Sequence, residues 1–123
     1  MTAPDTDALV ARKCVPCEGG VPKMDAVQVG EFAQAIPQWR VNEAATMISR
    51  KLNAGNFSRA IRWINEIGEI AEQQQHHPDL HLTGYRHLQV DLTTHAIGGL
   101  SENDFIVAAQ IDRLIDSNSS DSA

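Results

Sequence analysis

At 123 residues, with a net charge of −6, 42% hydrophobic and 21% charged residues, the chain has the composition of one globular domain, long enough to bury roughly two thirds of its unfolded surface without a staple. The 10 basic residues form no run or stripe, so no nucleic-acid partner is expected. No apolar run reaches the roughly 18 residues of a membrane span and MTAPDTDALVARK has no apolar signal-peptide segment, so no membrane partner and a cytoplasmic location are expected.

Residues 1–13 are small and polar without apolar period and are expected to be an unstructured tail, as are residues 117–123 (SNSSDSA); residues 14–116 form the single domain. The domain opens on CVPCEGGVP, residues 14–22, a tight loop rich in Gly and Pro. Its Cys14 and Cys17 are the only cysteines. They suit a structural or partner-binding knuckle, a half metal site or a redox pair. A zinc site needs about four ligands and a thioredoxin-like dithiol needs a βαβ context, so no metal is expected.

Asp25 can cap a helix over 26–35, with Val29, Phe32, Ala33 and Ile36 at helical spacing and Pro37 as its stop. Trp39 to Val41 and Ala45 to Leu52 read as two strands joined through Asn42 and Glu43. Asn56 caps a long helix over 57–74 whose core stripe is Phe57, Ala60, Ile61, Ile64, Gly68 and Ala71. A second apolar line, Trp63, Ile67 and Ile70, is spare, which predicts a homo-oligomer that buries Trp63.

Pro78 cannot continue this helix, so His76 and His77 stand at its C-terminal exit, where the helix dipole favours a protonated imidazole. Leu80 to Leu82 and Tyr85 to Thr93 read as a hairpin through Thr83 and Gly84, with Leu88, Val90 and Leu92 on one face and Tyr85, His87, Gln89 and Asp91 on the other. His95 follows the hairpin. Ser101 and Asp104 make a capping-box-like start to a last helix, which ends near Asp116 and whose stripe is Phe105, Ala108, Ala109, Ile111, Asp112 and Ile115, with the acid at its edge. Helix, hairpin, long helix, hairpin, helix predicts an α+β fold: a four-stranded, mainly antiparallel sheet with three helices packed on one face.

All five histidines lie between Glu72 and Asp104. An acid at Glu72, three spacers, His76-His77-Pro78, the aromatic Tyr85, then His95 and Asp104 form a spaced constellation of groups able to transfer protons near neutral pH. From about Trp39 to Ile115 the chain resembles the pterin-4a-carbinolamine dehydratase family. That resemblance implies His76, His77 and His95 around a pterin, with Glu72, Tyr85 and Asp104 in support, and no metal or cofactor.

CVPCEGG with HHPDLHL and GGLSENDF further resembles a dehydratase-like branch of chloroplasts and alpha-carboxysomes. This implies a RuBisCO assembly factor with RuBisCO subunits as partners, an association with the carboxysome, and a dehydratase activity weak or lost. Leu80, where dehydratases often carry an aromatic, leans the same way. The alternative is a working dehydratase, which converts 4a-hydroxytetrahydropterin to quinonoid dihydropterin and water.

Overall fold

The computed structural model describes residues 5–12, 14 and 22–119. Among them α1 (Thr6–Ala11), α2 (Ala26–Ala33), β1 (Arg40–Val41), β2 (Ile48–Asn53), α3 (Phe57–Gln74), β3 (Asp79–Thr83), β4 (His87–Leu92) and α4 (Glu102–Ser119) follow in order, with one 3-10 turn at His95–Ile97. The strands form a single antiparallel sheet in the order β1-β2-β4-β3, and the fold is α+β as expected.

Strand register sorts the side chains. Ile48 faces Leu92, Arg50 faces Val90 and Leu52 faces Leu88, while Leu80 and Leu82 of β3 align with Val90 and Leu88. Because side chains alternate between faces, this row packs into the helices, and Ser49, Lys51, Gln89 and Asp91 occupy the outer face. β2 begins three residues later than expected. Asn42 Oδ1 accepts from the N–H groups of Thr46 and Met47 at 2.8 and 3.1 Å and Ala45 turns left-handed at φ 56, so residues 42–47 are a loop.

The long helix forms over the expected residues, with Asn56 Oδ1 accepting from Arg59 N–H at 2.8 Å, but only part of the expected core stripe is buried, joined by two residues of the second line. Trp63 and Ile67 are buried with Ala60 and Ala71 in the core, whereas Phe57 (54% exposed) and Ile61 (37%) face outward. Trp63 is thus a core residue and cannot be the side chain that a second copy covers. Both lines satisfy helical spacing; the turn at Asn53–Asn56, which aims the helix at the sheet, selects between them.

The unstructured tail expected over residues 1–13 is also corrected, since residues 6–11 form α1. Asp5 caps this helix through Ala8 N–H, and Leu9 is fully buried. Thr6 Oγ1 donates to Ala35 O at 2.5 Å, and Gln110 Nε2 of α4 donates to Val10 O and Arg12 O at 3.2 and 3.3 Å. α1 therefore lies on the outer side of α4, and residues 105 to 109 are all buried, since α4 is covered from two sides. α4 also runs to Ser119, into the segment expected as a second tail.

Asp112 does not mark the edge of α4. It is 7% exposed, and its Oδ1 accepts from Trp39 Nε1 at 2.7 Å and from Arg50 Nη1 at 2.5 Å. Arg50 thereby spans from the core face of β2 to α4. Burial pushes the Asp112 carboxyl above its ordinary value, against the opposing pull of Trp39 and Arg50.

Candidate active site

The site is built where α3 ends. Gln75 adopts the left-handed conformation at φ 54, and His76 N–H returns to Ala71 O at 3.1 Å. This closure stops the helix abruptly. Pro78 prevents its continuation, so the two adjacent histidines diverge: His76 is 7% exposed and His77 is solvent-exposed.

His76 Nε2 lies 2.6 Å from Oδ1 of Asp104, which is fully buried. The other carboxylate oxygen of Asp104 accepts from Thr94 Oγ1 at 2.8 Å and from Ser101 N–H at 3.0 Å. The Thr94 and Ser101 hydroxyls are 2.9 Å apart. The expected capping pair thus forms through the Asp104 side chain, while the Ser101 hydroxyl turns to Thr94. One carboxylate fixes the start of α4, the end of β4 and the exit of α3. Thr94 carries no signal in sequence, since hydroxyl residues are common in such loops, and Ser101 declared itself only as a helix start.

Thr94 N–H donates to Gly99 O at 2.8 Å, closing the short turn that carries His95; Gly98 supplies its left-handed residue at φ 65. A Cβ at Gly99 would stand 2.6 Å from Cε of the exposed Lys23, whose flexible side chain would have to swing aside. His76, His77 and His95 then line one cleft of about 190 Å³, together with Gln75, Thr93, Thr94 and Ala96. Glu72 Oε2 is 3.5 Å from His77 Nε2 with both side chains exposed, a long contact that biases the imidazole only weakly.

Tyr85 does not join them. It sits at the tip of the β3–β4 hairpin, 56% exposed and left-handed at φ 57. The five residues of β3 carry it roughly 15 Å from the histidines at ~3.3 Å per residue. Cys14 lies nearer: its N–H donates to Gln74 Oε1 at 2.7 Å and its Sγ to Asn103 O at 3.6 Å, beside Asp104. Cys17 and most of the CVPCEGGVP loop lie outside the described residues.

Sequence reasoning missed a third histidine–carboxylate contact, His81 Nε2 to Asp91 Oδ2 at 2.9 Å, on the outer face. The signal was available as parity, because His81 and Asp91 sit diagonally on neighbouring strands. Burial opposes ionisation of Asp91, but hydrogen bonds from Ser49, Gln89 and His81 outweigh it and hold the carboxyl below its ordinary value. Among the described residues no group of three or more His, Cys, Asp or Glu side chains could hold a metal ion.

A small α+β domain with three imidazoles in one cleft, one of them held by a buried carboxylate, has the groups for proton transfer. Residues 22–114 match the family described as Pterin 4 alpha carbinolamine dehydratase, and the chain belongs to that family. A protein of Halorhodospira halophila named "Putative pterin-4-alpha-carbinolamine dehydratase" is 43% identical over 107 residues, covering 87% of this chain and 97% of its own length. A solved transcriptional coactivator/pterin dehydratase of Brucella melitensis superposes with a TM-score of 0.70 at 24% identity, covering 76% of this chain and 98% of that one. A pterin dehydratase-like protein identified as a RuBisCO assembly factor in the alpha-carboxysome superposes at 0.54 with 19% identity, covering 63% of this chain and 88% of that one.

These comparisons correct the expected assembly role. Relatives at 35 to 43% identity carry the dehydratase name, whereas RuBisCO assembly belongs to a neighbour whose low identity shows the fold alone. The family is established, and the Cys-x-x-Cys branch is not. No helix among the described residues is long and apolar enough to cross a membrane.

Proposed function

We propose that the chain is a working dehydratase that removes water from 4a-hydroxytetrahydropterins. The observation that carries this reading is the convergence of His76, His77 and His95, from two separate loops, on one cleft whose wall is fixed by the buried His76–Asp104 contact. The names of the relatives support the same chemistry.

The reaction breaks the C4a–O bond. A protonated imidazole gives its proton to the departing hydroxyl, which leaves as water, while a neutral imidazole takes the proton from N5 and the N5 electron pair forms the C4a=N5 double bond. No electron is gained or lost overall. His77 and His95, the exposed pair, exchange these protons with the substrate. His76 is the positioning residue, held by Asp104.

Dehydration of a 4a-hydroxytetrahydropterin followed by ultraviolet absorbance tests the reading. His77→Ala is expected to lower the rate by at least about 10²-fold, the contribution of a general acid or base. A native chain no faster than buffer overturns it.

We also propose a homo-oligomer, now assigned to the outward line of Phe57 and Ile61 on α3, whose exposed apolar side chains a second copy would cover.

A further inference from the structure

The outer face of the sheet takes no part in the proposed dehydration, yet it holds a larger cavity than the histidine cleft. At its hairpin end Lys51, Asn53, Thr83, His87 and Gln89 line a space of about 440 Å³, against about 190 Å³ at the histidines. Register explains the gathering. Lys51 faces Gln89, and Asn53 and Thr83 both face His87, so the side chains of three strands stand side by side. The volume suits a small metabolite.

The charge of this cavity runs against that of the chain. The protein carries −6 overall, but the ionisable residues lining the cavity are Lys51 and His87, and no carboxylate lines it. The next acid along β4, Asp91, is already engaged by His81 and Gln89, each at 2.9 Å, so Gln89 is turned toward Asp91. Asn53 Oδ1 accepts from Gly55 N–H at 2.9 Å, which leaves its amide nitrogen to donate. Lys51, Thr83 and His87 have no side-chain hydrogen bond or ion pair among the described residues. The donors are thus unspent.

The rim adds a second observation. Gly84 and Tyr85, the first two of the three residues that join Thr83 to its partner His87, are both left-handed, at φ 54 and 57. A tyrosine is disfavoured there, and its exposed ring is not repaid by core packing. It instead carries the Arg86 guanidinium 5.5 Å from its centre, which adds a second cation, beside Lys51, to the donors at this end of the sheet.

We propose that this cavity is a binding site for a small oxyanion-bearing metabolite, a carboxylate or a phosphate, received by Lys51, His87 and the Asn53 amide, with Arg86 at the rim. The site is separate from the histidine cleft and does not depend on the dehydratase reading.

The test is amide NMR of the native chain titrated with inorganic phosphate and, separately, acetate, with sodium chloride at matched ionic strength as reference. Saturable shifts centred on Lys51, Asn53, Thr83 and His87 are expected, and the tighter probe identifies the oxyanion. The Lys51→Gln/His87→Gln variant should weaken that binding by at least about tenfold, from lost charge-assisted hydrogen bonds, and retain dehydratase turnover and the native circular dichroism spectrum. Shifts reproduced by chloride, confined to His76, His77 and His95, absent with both probes, or unchanged in the variant would overturn the assignment.

Discussion

Asp104→Asn keeps the volume of the side chain and removes its charge, at the point where three chain segments meet. The two carboxylate oxygens face His76 Nε2, Thr94 Oγ1 and Ser101 N–H. An amide has one oxygen. If that oxygen stays with Thr94 and Ser101, the NH2 group faces His76 Nε2, which must then be the unprotonated nitrogen of its ring. In the opposite rotamer the NH2 group meets Ser101 N–H, which cannot accept, and a buried donor is orphaned. The first arrangement preserves the start of α4 but reverses the tautomer of His76 and removes the anion beside it. Exchanging a charged acceptor for a neutral one should reduce stability by about 1–2 kcal/mol, whereas Asp104→Ala strands all three partners and should cost about 3–5 kcal/mol. For a chain of this size 1 kcal/mol moves the unfolding midpoint by roughly 3–5 °C, so thermal unfolding by circular dichroism separates the two variants. The dehydration rate of Asp104→Asn should fall by up to about 10²-fold, because a displaced His76 shifts the cleft wall against which His77 and His95 act. An Asp104→Ala variant as stable as Asp104→Asn, or an Asn variant at native rate, would refute the idea that this carboxylate organises the cleft.

Three further outcomes are expected. Asp112→Ala leaves the Arg50 guanidinium and the Trp39 indole buried without their acceptor and should cost about 3–5 kcal/mol in urea denaturation, more than Asp112→Asn, which retains an oxygen. Asp91 has a folded-state pKa below its ordinary value of 3.8, so its stabilisation is complete above that value and is lost as pH falls through the folded value; Asp91→Asn should flatten the loss of stability below pH 3.8 in unfolding curves recorded down the acid limb. Phe57→Glu with Ile61→Glu should convert the expected homo-oligomer to monomer by light scattering without unfolding it, since both side chains are exposed; a native chain already monomeric at tens of micromolar concentration removes the proposal.

Much of the architecture is local in origin and therefore legible. Asn56 and Asp25 cap the helices they precede because a short polar side chain accepts an orphan N–H two or three residues on. Leu88, Val90 and Leu92 share a face because strands alternate, and His76 and His77 stand at the helix exit because Pro78 permits nothing else. The histidine constellation was readable from spacing, and the structure brings its three imidazoles to one cleft.

Other features depended on which surfaces meet. The two apolar lines of α3 are equivalent on a helical wheel, and only the approach of the helix to the sheet made Trp63 core and Phe57 surface. α1 has too few apolar positions to declare itself; burial of Leu9 and the Gln110 hydrogen bonds hold it against α4. Tyr85 kept the spacing of the motif, yet the hairpin carried it away. Asp112 looked like a boundary acid until Arg50 and Trp39, more than 60 positions earlier in the chain, supplied its donors. Sequence encodes what a residue does within a turn or two of its own chain, where covalent geometry limits the choices. Contacts between distant segments are selected by the joint burial of all of them, which no local pattern contains.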